Sequence, residues 1–296
     1  MHLAPKTGPL SAVDHASLKS DLTRDGAVLL RDQNADLAAF ASFSDSLGAD
    51  FVAPGEGLRI VGGNSGRKNI NGYKGLFTVS GTSQSGYGHE VPLHGELYFH
   101  SHHPPDLLWF FCKNPSQSGG ETLLCDGVEL FEHLPTDLQA ALQTRDIEYE
   151  RNHDQSTWTR LYKTDCVETL EEYCRESDIA LQLNSDGGIT TRFRCSPLRQ
   201  KNGRTAFINN FLPFALRQMR EPERTNARIR FADGETIPEP WVLAIEAVAA
   251  ELSVPVAWEK GDVAIVDNHR TLHGRQAVTD PDRDVYVRMS AAGALR

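Results

Sequence analysis

Residues 91–126 constrain the fold of this chain more than any other stretch, because they combine a pair of possible metal ligands with a long apolar strand later in the same segment. His94 and Glu96 are separated by one residue, and the apolar run 107–112 follows. A histidine and a carboxylate two residues apart on an extended segment point to the same side, since strand side chains alternate with a period of two. Such a pair is half of a facial metal site.

One such pair is weak evidence for a metal site, because a chain with 11 histidines and 40 acidic residues is expected to contain it by chance. A third ligand elsewhere in the sequence would strengthen the prediction. A candidate lies in the sequence VDNHRTLHGR, after an apolar strand predicted at 263–266. Either His269 or His273 could complete a set of two histidines and one carboxylate. This set suits non-haem Fe(II) and leaves coordination positions open.

Short strands predominate in the predicted secondary structure. A chain of 296 residues with 40% hydrophobic content can bury a full core. The predicted strands are 27–31, 189–195, 205–211, 263–266 and 285–289, and the predicted helices are 11–24, 36–47, 128–142 and 238–252. We therefore expect an all-β core with helical decoration in one domain, 1–296. The Gly-, Ser- and Asn-rich segment 53–90 is expected to be a lid, and about 145–250 a mixed insert.

Composition excludes several classes of function and location. The net charge of −10 argues against general nucleic-acid binding, which needs basic surface. No apolar run approaches the roughly 20 residues that span a bilayer, and the N-terminal residues lack the apolar core of a signal peptide. The five cysteines are odd in number and form no CxxC pair. Reduced thiols and a cytoplasmic location are expected.

The motifs occur in a fixed order along the chain: HxE at 94–96, GGET at 119–122, HGR at 273–275, and Arg288 on a late strand. This order resembles the taurine dioxygenase/TfdA branch of the Fe(II)- and 2-oxoglutarate-dependent dioxygenases, in the style of the clavaminate-synthase-like members. The resemblance covers nearly the whole chain. It implies a double-stranded β-helix (jelly roll) fold and the use of Fe(II), 2-oxoglutarate and O2.

The resemblance also implies roles for individual residues. His94, Glu96 and His273 would bind iron, and the HGR context favours His273 over His269. Arg288 and the Thr122 hydroxyl would bind the distal carboxylate of 2-oxoglutarate. The chemistry is consistent, because a guanidinium matches a carboxylate with two parallel hydrogen bonds and a hydroxyl adds another donor.

Two other arginines compete with Arg288 for the co-substrate. Arg283 lies in the turn-like run DPDRD and is expected to be solvated. Arg275, directly after His273 and a glycine, is expected to meet the substrate or to end the strand.

Three residues are candidates for substrate binding: Asn210 in AFINNF, Arg275, and Arg192, which shares a predicted strand face with Arg194. For Asn210 and Arg192, a purely structural role is an open alternative, since amides satisfy backbone groups and strand faces carry solvated charge. A histidine cluster at 100–103 (HSHH) could bind metal, but it is expected to face solvent or line the entrance to the site.

The predicted activity is hydroxylation of an unactivated C–H bond, with release of succinate and CO2. The predicted substrate is a small, polar, amino-acid-like molecule, either free or tethered to a carrier protein. Halogenating relatives have a small residue at the carboxylate ligand, so Glu96 argues against halogenation. Desaturation or epoxidation at the same iron, a metal-holding binding protein without turnover, and a hydrolase using the HSHH cluster are the alternatives. The oligomeric state is left open.

Overall fold

The structure is a computed structural model that describes residues 3–52, 70, 72–78 and 88–295. Most of the predicted lid, namely 53–69, 71 and 79–87, lies outside the described residues. Within them, the strands are β1 (Lys6–Thr7), β2 (Ala27–Arg31), β3 (Phe77–Thr78), β4 (Val91–His94), β5 (Leu107–Asn114), β6 (Thr122–Asp126), β7 (Ile147–His153), β8 (Ala180–Leu183), β9 (Ile189–Cys195), β10 (Leu198–Lys201), β11 (Arg204–Phe207), β12 (Ala227–Phe231), β13 (Val254–Val256), β14 (Asp262–Asp267), β15 (Thr271–Arg275) and β16 (Asp284–Ser290). The helices are α1 (His15–Asp25), α2 (Leu37–Leu47), α3 (Gly127–His133), α4 (Thr136–Thr144), α5 (Gln155–Tyr162), α6 (Val167–Glu176), α7 (Phe211–Arg220) and α8 (Glu239–Leu252), with short 3-10 helices at Leu10–Ala12, Pro222–Arg224 and Gly293–Leu295.

The chain divides into two compact units. The first contains Met1–Leu93, Pro105–Asp126 and Ser253–Arg296, and the second contains His94–Pro104 and Gly127–Leu252. The predicted insert at about 145–250 falls within the second unit, which starts earlier in the sequence. The assignment of a single domain stays a prediction.

The first unit is built on two β-sheets. A six-stranded sheet has the order β1-β2-β14-β5-β16-β3, and a four-stranded sheet has the order β13-β6-β15-β4. Every residue of β14 is buried, as expected for its fully apolar centre between β2 and β5. A sheet-rich core with helices packed on it confirms the predicted fold class.

Alternate residues of β5 serve the two faces of the six-stranded sheet. Trp109 and Phe111 pack against α2, where the Phe111 ring stacks on Phe40 with 5.2 Å between centroids. Phe110 points the opposite way, and its ring centroid lies 5.8 Å from that of His273 in the other sheet. The period of two therefore separates a helix-covered core from a face that meets the four-stranded sheet.

Helix boundaries follow local capping chemistry. The Asp14 carboxylate accepts a hydrogen bond from the Ser17 N–H at the start of α1, and Gly26 ends that helix at a φ of 76°. Asp36 caps α2 in the same way. These caps satisfy backbone groups that a helix end leaves without partners. The predicted helix at 128–142 is instead two helices, because Pro135 has no N–H to continue the first and lies at the N-cap of the second.

The second unit contains the four-stranded sheet β12-β7-β9-β8, the hairpin β10-β11 and helices α3 to α8. The predicted strand at 205–211 ends early, since β11 stops at Phe207 and α7 begins at Phe211. One face of the sheet is ionic. There the buried Glu148 carboxylate receives hydrogen bonds from Arg194 and Arg230. The other face is aromatic, with Tyr149 packed on Phe214 at 4.8 Å.

Two global features follow from the described residues. Within them, no helix has both the length and the apolar character needed to cross a bilayer. The five cysteines of the chain are all free thiols, as the odd count predicted.

Candidate metal centre

The structure brings His94, Glu96 and His273 together. One ligand atom from each lies within 4.8 Å of the others, and this is the metal-compatible cluster found among the described residues. His94 is the last residue of β4, and His273 lies at the centre of β15, in the same sheet. Two imidazole nitrogens and one carboxylate oxygen form a donor set that fits non-haem iron, so the residues present suit the metal that the sequence predicted.

The segment between the first two ligands is sterically tight. A side chain at Gly95 would place its Cβ 2.7 Å from the Tyr98 ring, and the Gly95 N–H donates to the Asn209 carbonyl at 2.7 Å. Glu96 lies in the turn that follows β4, and the next residue, Leu97, is buried with a φ of 69°. A left-handed conformation is costly for leucine. The direction of Glu96 is therefore imposed by a constrained turn and not by simple strand alternation.

Gly274 allows the two histidine-bearing strands to approach closely. A Cβ at this position would lie 2.7 Å from the Val91 carbonyl oxygen and 3.2 Å from the Leu93 nitrogen. Both contacts involve backbone, which cannot move aside as a flexible side chain would. The glycine of the HGR motif thus serves the packing of β15 against β4.

The other histidines are placed elsewhere. His269 lies 2.7 Å from the Asp106 carboxylate, and the His102 ring packs at a tilt against Phe193, with 4.5 Å between ring centroids. The expectation that the cluster at 100–103 faces solvent or lines an entrance is wrong for His100, which is buried. The cluster of described residues that could hold a metal does not include His100, His102, His103 or His269.

Thr122 lies on the same sheet face as His273. In the β6–β15 register, Thr122 is opposite Arg275 and Leu124 is opposite His273, and paired residues share a face. The buried Thr122 hydroxyl accepts a hydrogen bond from the Trp258 indole N–H at 3.1 Å. A hydroxyl that accepts still has its own proton to donate, so Thr122 can offer that proton to a carboxylate.

Arg288 does not lie near the triad. It pairs with Trp109 on β5, on the face opposite Phe110, and its guanidinium donates to the Ala41 and Lys74 carbonyls and the Ser44 hydroxyl. The sequence placed Arg288 on the correct strand, but its side chain ties α2 to that strand. The expected contact with 2-oxoglutarate is not supported by this geometry.

Arg283 has the placement that was expected of Arg288. It is 2% exposed, so the expectation that it is solvated is wrong. A Cβ on Gly120 would lie 3.0 Å from the Arg283 Cδ, which places the side chain beside the GGET motif. Burial, followed by repulsion from Arg275, lowers the pKa of Arg283 to about 10. Two guanidinium groups thus lie near Thr122, on the side of the sheet that carries His273.

The structure places the three substrate candidates from the sequence in different environments. Arg192 hydrogen-bonds the Glu150 carboxylate at 2.7 Å on the ionic face of the second unit, which supports the structural alternative. Arg275 donates to the His89 carbonyl at 3.2 Å and lies beside Arg283. Asn210 is buried, and its Oδ1 has no hydrogen-bond partner among the described residues.

Sequence reasoning missed Arg151 and His153 on β7. They share the aromatic face with Tyr149, because positions 149, 151 and 153 follow one another at intervals of two along the strand. The available signal was this alternation against Glu148 and Glu150, which occupy the ionic face.

Comparisons with known proteins agree with the fold. A sequence model described as "Taurine catabolism dioxygenase TauD, TfdA family" matches residues 4–289. A dapdiamide synthesis protein, DdaC, of Enterobacter agglomerans is 24% identical over 58% of this chain, and the match spans 57% of that relative's length. A clavaminate synthase-like protein of Arabidopsis thaliana is 25% identical over 90% of this chain and 82% of the relative.

Solved structures resemble the chain over almost its full length. PvcB from Pseudomonas aeruginosa has a TM-score of 0.60 at 12% identity, covering 98% of this chain and 84% of PvcB. A taurine dioxygenase from Burkholderia xenovorans has a TM-score of 0.56 at 15% identity, covering 98% of this chain and 87% of that structure. At these identities the likeness establishes the fold.

Proposed function

Because the chain belongs to the TauD/TfdA family, we propose that it hydroxylates an unactivated C–H bond of a small, polar, amino-acid-like substrate. It is an Fe(II)/2-oxoglutarate-dependent dioxygenase, and Fe(II), 2-oxoglutarate and O2 are its cofactor and co-substrates. The substrate is a small molecule, taken either free or tethered to a carrier protein. The observation that carries the proposal is the convergence of His94, Glu96 and His273.

The three ligands would hold iron on one side and leave the other coordination positions open to co-substrate and oxygen. Iron held by these residues would supply the redox chemistry that couples O2 to the oxidation of 2-oxoglutarate to succinate and CO2 and to hydroxylation of the substrate. The chain itself fixes the ligands. The constrained turn at Leu97 orients Glu96, and the close approach at Gly274 sets the spacing between β15 and β4.

Arg283 and Thr122 would bind the distal carboxylate of 2-oxoglutarate, in place of the pair Arg288 and Thr122 predicted from sequence. Arg283 is buried beside Gly120, and Thr122 shares a sheet face with His273. A buried guanidinium makes short, charge-assisted hydrogen bonds to a carboxylate, and the threonine adds a neutral donor. Arg275 would add positive charge to the same region.

Anaerobic metal and co-substrate binding tests this proposal without turnover. Fe(II) and then 2-oxoglutarate are added to the apo protein, and bound iron and the visible absorption band of chelated 2-oxoglutarate are measured. We expect one iron per chain and a band that appears only with 2-oxoglutarate. His273→Ala should lose both signals.

His269→Ala is the matched control, because His269 lies four residues away and contacts Asp106 instead. It should keep both iron and the band. Iron binding without the band would leave a metal-holding protein with no co-substrate and would refute the oxygenase mechanism proposed for this site. Product analysis by mass spectrometry then separates hydroxylation from desaturation or epoxidation.

A further inference from the structure

A second polar cluster lies in the second unit, on the aromatic face of the sheet β12-β7-β9-β8. Arg151 projects from β7 on this face, and its Cζ lies 5.0 Å from the centroid of the Phe99 ring. That ring is 4.4 Å from the His100 ring. The same segment of chain carries Glu96, so the cluster is linked to the carboxylate ligand through three intervening residues.

Aromatic rings and a backbone contact close the cluster on its other side. Phe99 lies 5.7 Å from Phe214, which in turn packs on Tyr149. The Tyr149 hydroxyl accepts a hydrogen bond from the Asn210 N–H at 3.0 Å. Arg151, His100 and Asn210 are therefore joined by one continuous set of ring and hydrogen-bond contacts.

The cluster contains buried polar side chains beside the half-buried Arg151. Among the described residues, neither ring nitrogen of His100 nor Oδ1 of Asn210 has a hydrogen-bond partner, and the same is true of His153 on the strand of Arg151. The Arg151 guanidinium forms no ion pair within the described part of the chain. Buried polar groups are nearly always hydrogen-bonded, so such a concentration of unpaired groups indicates a ligand site.

The charges of the cluster define what it can bind. Burial, followed by the positive charge of Arg151, lowers the pKa of His100 to about 3, against an opposing effect of Glu96. Burial and Arg151 likewise lower the pKa of His153 to about 4. Both imidazoles are therefore neutral at physiological pH and can each donate one N–H. The site offers one positive charge with neutral donors around it.

We propose that Arg151 and His100 form a binding site for a carboxylate group on the substrate. One planar guanidinium matches one carboxylate with two parallel hydrogen bonds. The aromatic rings would contact the apolar part of the same molecule. The substrate class is then a small organic acid, such as an amino acid or its N-acyl derivative, held by its carboxylate in the unit that also carries Glu96. The identity of the bound acid as the substrate rests on the proposed oxygenase function, whereas the binding of the acid at this site does not.

The residues of this site differ from those assigned to 2-oxoglutarate. Arg283 and Thr122 belong to the first unit, and Arg151 belongs to the second. Arg192 provides a matched comparison within the second unit. It pairs with Glu150 on the opposite face of the same sheet, on a strand that neighbours the strand of Arg151.

Calorimetry with paired ligands tests the proposal. The full-length protein, loaded anaerobically with Fe(II) and saturating 2-oxoglutarate, is titrated with N-acetyl-L-amino acids and with the matched N-acetyl-L-amino acid carboxamides. The amides keep the shape and lose the charge. We expect at least one acid to bind the wild type and Arg192→Gln about 10-fold or more tightly than its amide. Arg151→Gln should lose that preference, and Arg151→Lys should recover part of it.

His100→Phe keeps an aromatic ring and removes the N–H donor, and it provides a second variant in case Arg151→Gln does not fold; it should weaken acid binding by a smaller factor. Equal binding of acids and amides by the wild type, or no binding of any acid, would overturn the proposal. So would an unchanged preference in Arg151→Gln, or a loss of 2-oxoglutarate binding in that variant. The visible band separates the two proposals: its absence in a wild type that still prefers acids would remove the oxygenase function and leave the carboxylate site standing.

Discussion

The clearest test of the site is a pair of substitutions at the two late arginines, Arg283→Gln and Arg288→Gln. Both side chains are 2% exposed, and both lie within a few residues on the same part of the chain. They differ in what they contact. Arg283 lies beside Gly120 on the side that carries Thr122 and His273, whereas Arg288 lies against α2.

The two substitutions should change different quantities: Arg283→Gln the affinity for 2-oxoglutarate, and Arg288→Gln the free energy of unfolding. Removing a buried guanidinium that holds a carboxylate costs about 2–5 kcal/mol of binding, so Arg283→Gln should weaken 2-oxoglutarate binding by about 30-fold to several thousand-fold. Arg288→Gln removes donors to two carbonyls and a hydroxyl, and should lower the free energy of unfolding by about 2–4 kcal/mol. The ion pair of Arg288 with Asp45 adds little, because the Asp45 side chain is 58% exposed.

Two measurements on each variant decide between the roles. Titration of 2-oxoglutarate into the Fe(II)-loaded protein gives the affinity, and urea denaturation of the apo protein gives the stability. We expect a loss of affinity only for Arg283→Gln, and the larger loss of stability for Arg288→Gln. If Arg288→Gln weakened 2-oxoglutarate binding and Arg283→Gln did not, the assignment to Arg283 would be wrong and the sequence-based choice of Arg288 would be restored.

Two further predictions concern the spacing of the strands and the ionic face. Gly274→Ala should push β15 away from the Val91 carbonyl, 2.7 Å from the added Cβ, and lower metal affinity by about 10-fold or more as measured by competition with a chelator; unchanged affinity would show that the strand spacing does not position the ligands. Glu148→Gln should lower the free energy of unfolding at neutral pH by about 1–3 kcal/mol. Burial raises the pKa of the Glu148 carboxyl, but the hydrogen bonds from Arg194 and Arg230 outweigh it and lower the pKa from 4.5. The wild-type advantage is therefore complete above pH 4.5 and disappears as the pH falls through the lowered folded-state pKa; an advantage that persisted in strong acid in urea titrations would contradict this origin.

The metal ligands could be predicted from the sequence because they occur in short motifs. An HxE pair next to a buried strand and an HGR tripeptide after another are local patterns, and the structure brings His94, Glu96 and His273 together. The buried strand β14 was identified by its continuous apolar sequence.

The sheet face on which Arg288 lies could not be predicted from the sequence, because it depends on the strand register. Residues 285, 287 and 289 pair with the side of β5 that carries Phe110, and Arg288 falls on the other side. The register also shifts between Asp284 and Val285. A bulge changes which residues point inward, and nothing in the local sequence DPDRD announces it. A distance counted along the chain therefore could not show that Arg288 lies on the face that packs against α2.

The inward position of Arg151 was hidden for a different reason. Charged residues on a strand usually belong to a solvated face, and the sequence around Arg151 contains charges on both faces. Arg151 is half-buried, because the Phe99 ring, which packs on Phe214, lies over it in three dimensions. Only the alternation of Tyr149, Arg151 and His153 against Glu148 and Glu150 hinted at two different environments.

The left-handed turn at Leu97 has a consequence for how this protein responds to selection. A non-glycine residue in that conformation costs about 1–2 kcal/mol, and glycine would relieve it. Glycine would also let the backbone beside Glu96 rotate freely and would remove a buried side chain. Truncating a buried leucine costs about 2–5 kcal/mol, more than the relief of backbone strain, and Leu97 is buried. Libraries screened for heat resistance and for iron retention should therefore both keep leucine at position 97. At this one residue, the packing of the leucine side chain outweighs the strain of its backbone, and stability and iron binding favour the same choice.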